Sequence, residues 1–249
     1  MTNLVLGLIG FALVLVSAVL IIGLAAWRRK SPPVFRDIPT FARMRHAVGR
    51  VVEDGTRLHV SLGHGALSTP QSASGLAGLV LLGRLAELTS AGDQPPIATS
   101  GDSGIAILSQ DVLQAASKVS AQGAYDPTLG RLTGLTPFSY AAGAITTIRD
   151  ENISANMFVG NFGAESGLMI EAAERENSFT MAGSDNLTAQ AVMYGTAQEP
   201  LIGEELFAAG AYTDAGRLHS SSLTAQDILR WGIIAVMLIG SILKVLGVL

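Results

Sequence analysis

The sequence predicts an α/β domain, a parallel sheet covered by helices, held between two transmembrane helices. Three observations carry this. The two ends of the chain, Leu4–Trp27 and Ile228–Leu249, are long apolar runs, with Arg230 at the domain-side border of the second and Lys244 as their one interior charge. Between them, short strand-like runs alternate with helix-length segments. Four of those runs end in small, polar, Gly-containing turns. The 249 residues are 49% hydrophobic and 14% charged, well below the roughly 25% charged residues of soluble domains, and the apolar excess sits at the ends.

About 20 apolar residues span the hydrocarbon core of a bilayer, so Leu4–Trp27 is long enough. A signal peptide would carry its positive charges before the apolar run. Here the chain opens Met-Thr-Asn, and Arg28, Arg29 and Lys30 come after the run, so residues 1–30 read as an anchor with a basic flank. Residues 227–249 read as a second span rather than a buried core helix. Lys244 lies near its end, where a lysine stem follows the helix and lifts its ammonium to the headgroups. Arg28, Arg29, Lys30, Arg36, Arg43, Arg45 and Arg230 lie on the domain side of the spans. Basic flanks stay on the inner face, so the expectation is a cytoplasmic domain with both termini outside the inner membrane. The absence of cysteine excludes disulfides and thiolate metal sites.

Residues 31–226 hold 11 Lys and Arg against 19 Asp and Glu, a net charge of about −8, which excludes a basic nucleic-acid groove. Ser31-Pro32-Pro33 breaks the first helix. Residues 39–53 form an amphipathic helix with Phe41, Met44, Val48, Val51 and Val52 near one face and Arg43, Arg45, His46 and Arg50 on the other. That basic face either meets anionic headgroups or is simply solvated. Strands are predicted at 57–63, 96–101, 154–160, 178–183 and, weakly, 200–203. Helices are predicted at 68–91, 103–119, 137–149, 164–176, 186–195 and 204–211, with a connection over 122–136. Such alternation indicates right-handed β-α-β units and a Rossmann-like parallel sheet.

In an open parallel sheet, ligands bind beyond the C-terminal strand ends. The turns there supply the candidate ligand-binding residues: Gly63, His64 and Gly65; Gly101, Asp102 and Ser103; Asn161 and Glu165; Ser184, Asp185 and Asn186. Glycines let a ligand approach the backbone and helix N-termini offer free N–H groups, but the same residues are ordinary turn formers and caps. Gly63-x-Gly65 is followed by Ser68 where a dinucleotide fingerprint needs glycine, and no phosphate-binding Lys-Ser/Thr pair exists. No cofactor is implied.

Gly101-Asp102-Ser103-Gly104 matches the nucleophile motif of chymotrypsin-type proteases, but in a strand-turn-helix setting foreign to those double β-barrels. Gly163-Ala164-Glu165-Ser166-Gly167 has nucleophile-elbow spacing with Glu at its centre. A carboxylate nucleophile competes there with a capping-box-like helix start. Of His46, His59, His64 and His219, only His64 falls on the presumed edge, as a general base or phosphate ligand or as a structural histidine. No histidine pair has metal-ligand spacing, and the adjacent Glu204 and Glu205 point apart.

The uncharged first span, the segment Arg36-Asp37-Ile38-Pro39-Thr40, the Gly-rich core and the C-terminal span together resemble an uncharacterised bacterial family of membrane-anchored proteins, a domain of unknown function. The resemblance implies a bacterial origin and carries no activity and no site residues. The leading expectation is a homo-oligomeric assembly or binding module whose partners are the bilayer and further copies of itself. The alternative is a small-molecule sensor or enzyme using the Gly-rich edge.

Overall fold

The structure is a computed structural model, and it describes residues 2–27, 35–120 and 125–246. The basic flank Arg28–Lys30 and the Ser31-Pro32-Pro33 break lie outside the described residues. The chain divides into two compact units, Asp37–Ala215 and a second made of the two terminal segments.

The larger unit runs α2 (Pro39–Glu53), β1 (Arg57–Gly63), α3 (Ser72–Leu88), β2 (Ile97–Ser100), α4 (Ser103–Ser120), β3 (Gly130–Leu132), α5 (Pro137–Asp150), β4 (Ile153–Asn161), α6 (Ser166–Arg175), β5 (Phe179–Ser184), α7 (Leu187–Thr196), β6 (Glu199–Leu201) and α8 (Glu205–Tyr212). The six strands are all parallel in the order β3-β2-β1-β4-β5-β6. This is the doubly wound order of the Rossmann fold. Val60 is in register with Ala98 on one side and Met157 on the other.

Alternation along the strands divides the core in two. Leu58, Val60 and Leu62 of β1 and Met157 and Val159 of β4 join Phe41, Met44, Leu82, Leu85 and Leu206 from α2, α3 and α8. On the opposite face Phe158 and Ala182 join Tyr140, Ile148, Met169 and Met193 from α5, α6 and α7. After β3 the chain crosses by α5 to that opposite face and lands beside β1. The loops after β1 and β4 therefore diverge and open a crevice at the switch point.

The predicted strands at 57–63, 96–101, 154–160 and 178–183 are present and parallel. β3 falls inside the segment expected to be a connection, and β6 starts at Glu199 and ends at Leu201. Both are three-residue edge strands too short to show alternation, and Pro200 is tolerated at an edge because no ladder N–H is needed there. On α2, Phe41, Met44, Val48 and Val51 are buried, as its pattern predicts, with Thr40 and Ala47. Its basic face is partly engaged: Arg43 pairs with the buried Glu199, and Arg45 Nη1 donates to the Tyr212 carbonyl at 3.2 Å. Phe41 in the first turn of α2 stacks on Tyr212 at the end of α8, with ring centroids 4.9 Å apart. The points where the chain enters and leaves this unit therefore lie together.

The second unit contains α1 (Thr2–Trp27) and α9 (Arg217–Val245), which pack on each other. α9 starts well before the apolar run at Ile228. At about 1.5 Å per residue, both helices exceed the roughly 30 Å hydrocarbon core. Both are long and apolar enough to cross a membrane, with mean hydropathy 3.0 in the most apolar stretch of Val5–Trp27 and 2.0 in that of Arg217–Val245. None of their most apolar windows is buried. Leu6, Phe11, Val236 and Ile239 are open, unlike the side chains of a core helix.

Candidate functional site

β1 ends at Gly63 with φ +75°. A Cβ there would lie 2.2 Å from the Asn161 carbonyl oxygen, so only glycine lets the ends of β1 and β4 approach. The turn is tied by His64 N–H to Asn161 O at 2.9 Å and Gly101 N–H to Gly63 O at 2.8 Å. Gly101 packs on His64 so closely that a Cβ would fall 2.7 Å from the His64 Cβ. Gly65 packs beneath the Gln71 carbonyl. These glycines bring the loops against one another rather than leaving their backbone open.

The loop after β4 then supplies Glu165. Its side chain is 4% exposed and its Oε1 lies 3.0 Å from His64 Nε2. The same oxygen accepts the Gly163 N–H at 2.6 Å. Burial pushes the Glu165 carboxyl up, but the bonded His64 ring and Gly163 N–H outweigh this and hold it below the ordinary carboxylate range. An ionised carboxylate only accepts, so Nε2 carries the proton and Nδ1 of a neutral His64 is left as the acceptor. α6 does start in this segment, with Glu165 as its N-cap residue but without a side-chain cap bond into the helix; the carboxylate takes the Gly163 N–H just ahead of the helix and also faces His64.

Next along the edge, Asn161 Nδ2 donates to Asp185 Oδ1 at 2.7 Å. Ser184 Oγ accepts from Phe162 N at 3.1 Å and Asn186 N at 3.2 Å. A cleft of about 440 Å3 opens here, lined by Pro70, Gln71, Asn161, Asp185 and Asn186. Pro70 and Gln71 were not among the candidates, because 68–91 reads as one helix whereas α3 starts at Ser72. Asp102 lies apart from the cleft and caps α4, its Oδ1 accepting Ile105 N–H at 3.0 Å. Ser103 opens that helix.

The helices that follow use their leading N–H groups internally. Ser72 N–H and Ala73 N–H of α3 bond to Thr69 and Pro70 carbonyls, and Ser166, Gly167 and Leu168 N–H of α6 to Gly163, Ala164 and Glu165 carbonyls. Asn186 Oδ1 takes Thr188 N–H of α7 at 3.0 Å. A phosphate therefore finds few free donors here, in contrast to a dinucleotide site.

Beneath the turn runs a buried polar chain that the sequence did not expose. Ser178 Oγ accepts from Asn156 Nδ2, Asn156 Oδ1 meets His59 Nδ1, and His59 Nε2 meets Thr99 Oγ1, each at 2.8 Å. Tyr140 OH lies 2.5 Å from Ser61 Oγ and accepts Gly63 N–H at 3.2 Å. Burial, with the positive charge of Arg131 adding to it, outweighs the Asn156 bond and lowers the His59 pKa to about 4. His59 is thus neutral, donating from Nδ1 and accepting from Thr99. Burial also raises the Tyr140 phenol. The signal was present as His59 and Ser61 alternating with Leu58, Val60 and Leu62, a pattern that suggests a solvated face, but α5 covers it.

No curated protein and no solved structure matches the chain. The model of one family, described as a domain of unknown function (DUF6754), matches residues 3–249. With both terminal helices and the whole sheet inside that match, the chain belongs to the DUF6754 family.

Proposed function

We propose that this chain is a membrane-anchored binding module whose switch-point cleft takes a small polar ligand, neutral or positively charged. The carrying observation is the cleft itself. It lies beside the divergence of β1 and β4, where doubly wound sheets hold their ligands. Its walls offer the amides of Gln71, Asn161 and Asn186 and the carboxylate of Asp185. Amides and a carboxylate suit hydroxyl, amide and amine groups, whereas helix N-termini whose leading N–H groups are already bonded disfavour a phosphate. The adjoining His64–Glu165 pair adds one oriented imidazole.

Saturation-transfer NMR of the full chain in nanodiscs, against polyols, amines, amides and nucleotides, tests this. Signals should come from neutral or cationic compounds and vanish in Gln71→Trp, which fills the cleft. Binding of nucleotides alone would refute the reading.

The basic flanks support a domain on the cytoplasmic side of a bacterial inner membrane with both termini outside. In intact cells an impermeant thiol reagent should then reach Thr2→Cys and not Asp93→Cys. Self-assembly in the membrane plane is supported by Gly7, Gly10, Gly232 and Gly240. A Cβ on any of them would meet nothing within 4 Å among the described residues, so the contact between α1 and α9 does not use these positions, and small residues permit close helix approach in lipid. A monomer at every dilution in nanodiscs would defeat that part.

A further inference from the structure

The loops that follow the six strands share two features beyond the cleft. The first is charge. Residues 64–71, 101–102, 133–136, 162–165, 185–186 and 202–204 contain Asp102, Glu165, Asp185 and Glu204 and no Lys or Arg. Glu205 opens α8 immediately afterwards. The second is apolar exposure. Leu67 follows β1, Leu132 ends β3, Leu135 lies between β3 and α5, Phe138 lies in the first turn of α5, Leu187 opens α7 and Ile202 follows β6, and all six side chains are open. Leu187 is 80% exposed, Leu135 73% and Phe138 69%. Single exposed leucines are ordinary, but bulky apolar side chains on the loops of four strands along one edge are the composition of an interface.

We propose that this edge is a docking surface for a basic polypeptide segment in which Lys or Arg alternates with large apolar residues. The apolar rim calls for apolar partner side chains, and the uniformly acidic charge of these loops favours a basic partner, because like charges brought together oppose association. The alternatives meet like charge. A second copy presenting the same edge brings acid against acid, and anionic lipid and nucleic acid carry phosphates. The inference does not depend on the cleft being filled.

The test uses the full chain in nanodiscs of zwitterionic lipid at physiological salt. The probes are an array of labelled peptides of about twelve residues, long enough to cross such an edge, that combine Lys or Arg with Leu or Phe at varied spacing. Each peptide has one counterpart with Glu for the basic residues and another with Ser for the apolar ones. Some basic-apolar peptides should bind and neither counterpart should. The double variants Phe138→Ser/Leu187→Ser and Asp185→Asn/Glu204→Gln should each weaken binding by about tenfold, and the second should also flatten its salt dependence. Glu174→Gln/Glu176→Gln makes the same change of charge at the far end of α6 and should move affinity by less than about twofold. Equal losses in that control would reduce the effect to net charge and overturn the proposal. Silence across the array, or preference for the acidic counterparts, would overturn it too. So would disulfide dimers of Leu135→Cys at working concentration, which would assign the rim to a second copy.

Discussion

His64 and Glu165, 101 residues apart in sequence, meet at 3.0 Å beside the crevice between β1 and β4. The contact joins the first strand of the sheet to the first strand after the crossover, so it forms only when the two halves have wound around each other. Glu165→Leu leaves His64 without its acceptor and the Gly163 N–H unpaired. Loss of a buried acceptor of this kind costs about 2 kcal/mol, read as a lower denaturation midpoint of the full chain. In 15N spectra the wild-type His64 ring should show the Nε2-protonated tautomer, and the variant should lose that bias.

His59 makes stability depend on pH. Its folded-state pKa is about 4 against an ordinary 6.5, so below pH 6.5 the unfolded chain binds a proton that the folded one refuses. Stability is full above pH 6.5 and falls as pH drops towards 4, by about 3 kcal/mol at one unit per 1.4 kcal/mol. Denaturant midpoints at pH 7 and pH 4.5 measure this. His59→Gln should be less stable at pH 7 yet show a shallower slope.

Tyr140→Phe removes the hydroxyl that accepts Gly63 N–H and meets Ser61 Oγ. The expected cost is about 1–2 kcal/mol. Because Gly63 begins the turn carrying His64, amide exchange at those two residues should quicken more than at Val60. Uniform quickening along β1 would show instead that the hydroxyl serves the core alone.

Two glycines should respond in opposite directions to alanine. Gly63→Ala places a methyl on the Asn161 backbone at a positive φ and should destabilise by about 3 kcal/mol or more. Gly49 sits on the exposed side of α2, where a Cβ meets nothing within 4 Å. Gly49→Ala should stabilise by about 0.5–1 kcal/mol through helix propensity. Thermal melts of both variants decide it.

The central strands were legible because each is buried on both faces and ends at or beside a glycine, Gly63, Gly101, Gly160 or Gly183. The three-residue β3 and β6 had too little length for a period, and their place came from pairing with β2 and β5. At the edge, Asn161, Asp185 and Asn186 could be named in advance because topology alone gathers strand-end turns. The union of His64 with Glu165 could not, since it depends on the register between β1 and β4 and the tight Gly63 turn. His59 was hidden for a different reason. A histidine on a strand looks the same in sequence whether water or a tyrosine lies above it.

The stacking of Phe41 on Tyr212 has a consequence for how the domain is built into its gene. Its two ends are neighbours, so the 37–215 segment behaves as an insertion that could be lifted out of its helical hairpin and grafted into a loop of an unrelated scaffold. Joining the ends with a short Gly/Ser linker and opening the chain at an exposed turn near Asp93 would give a circular permutant. Such a permutant should keep the sheet order while having no tether at all.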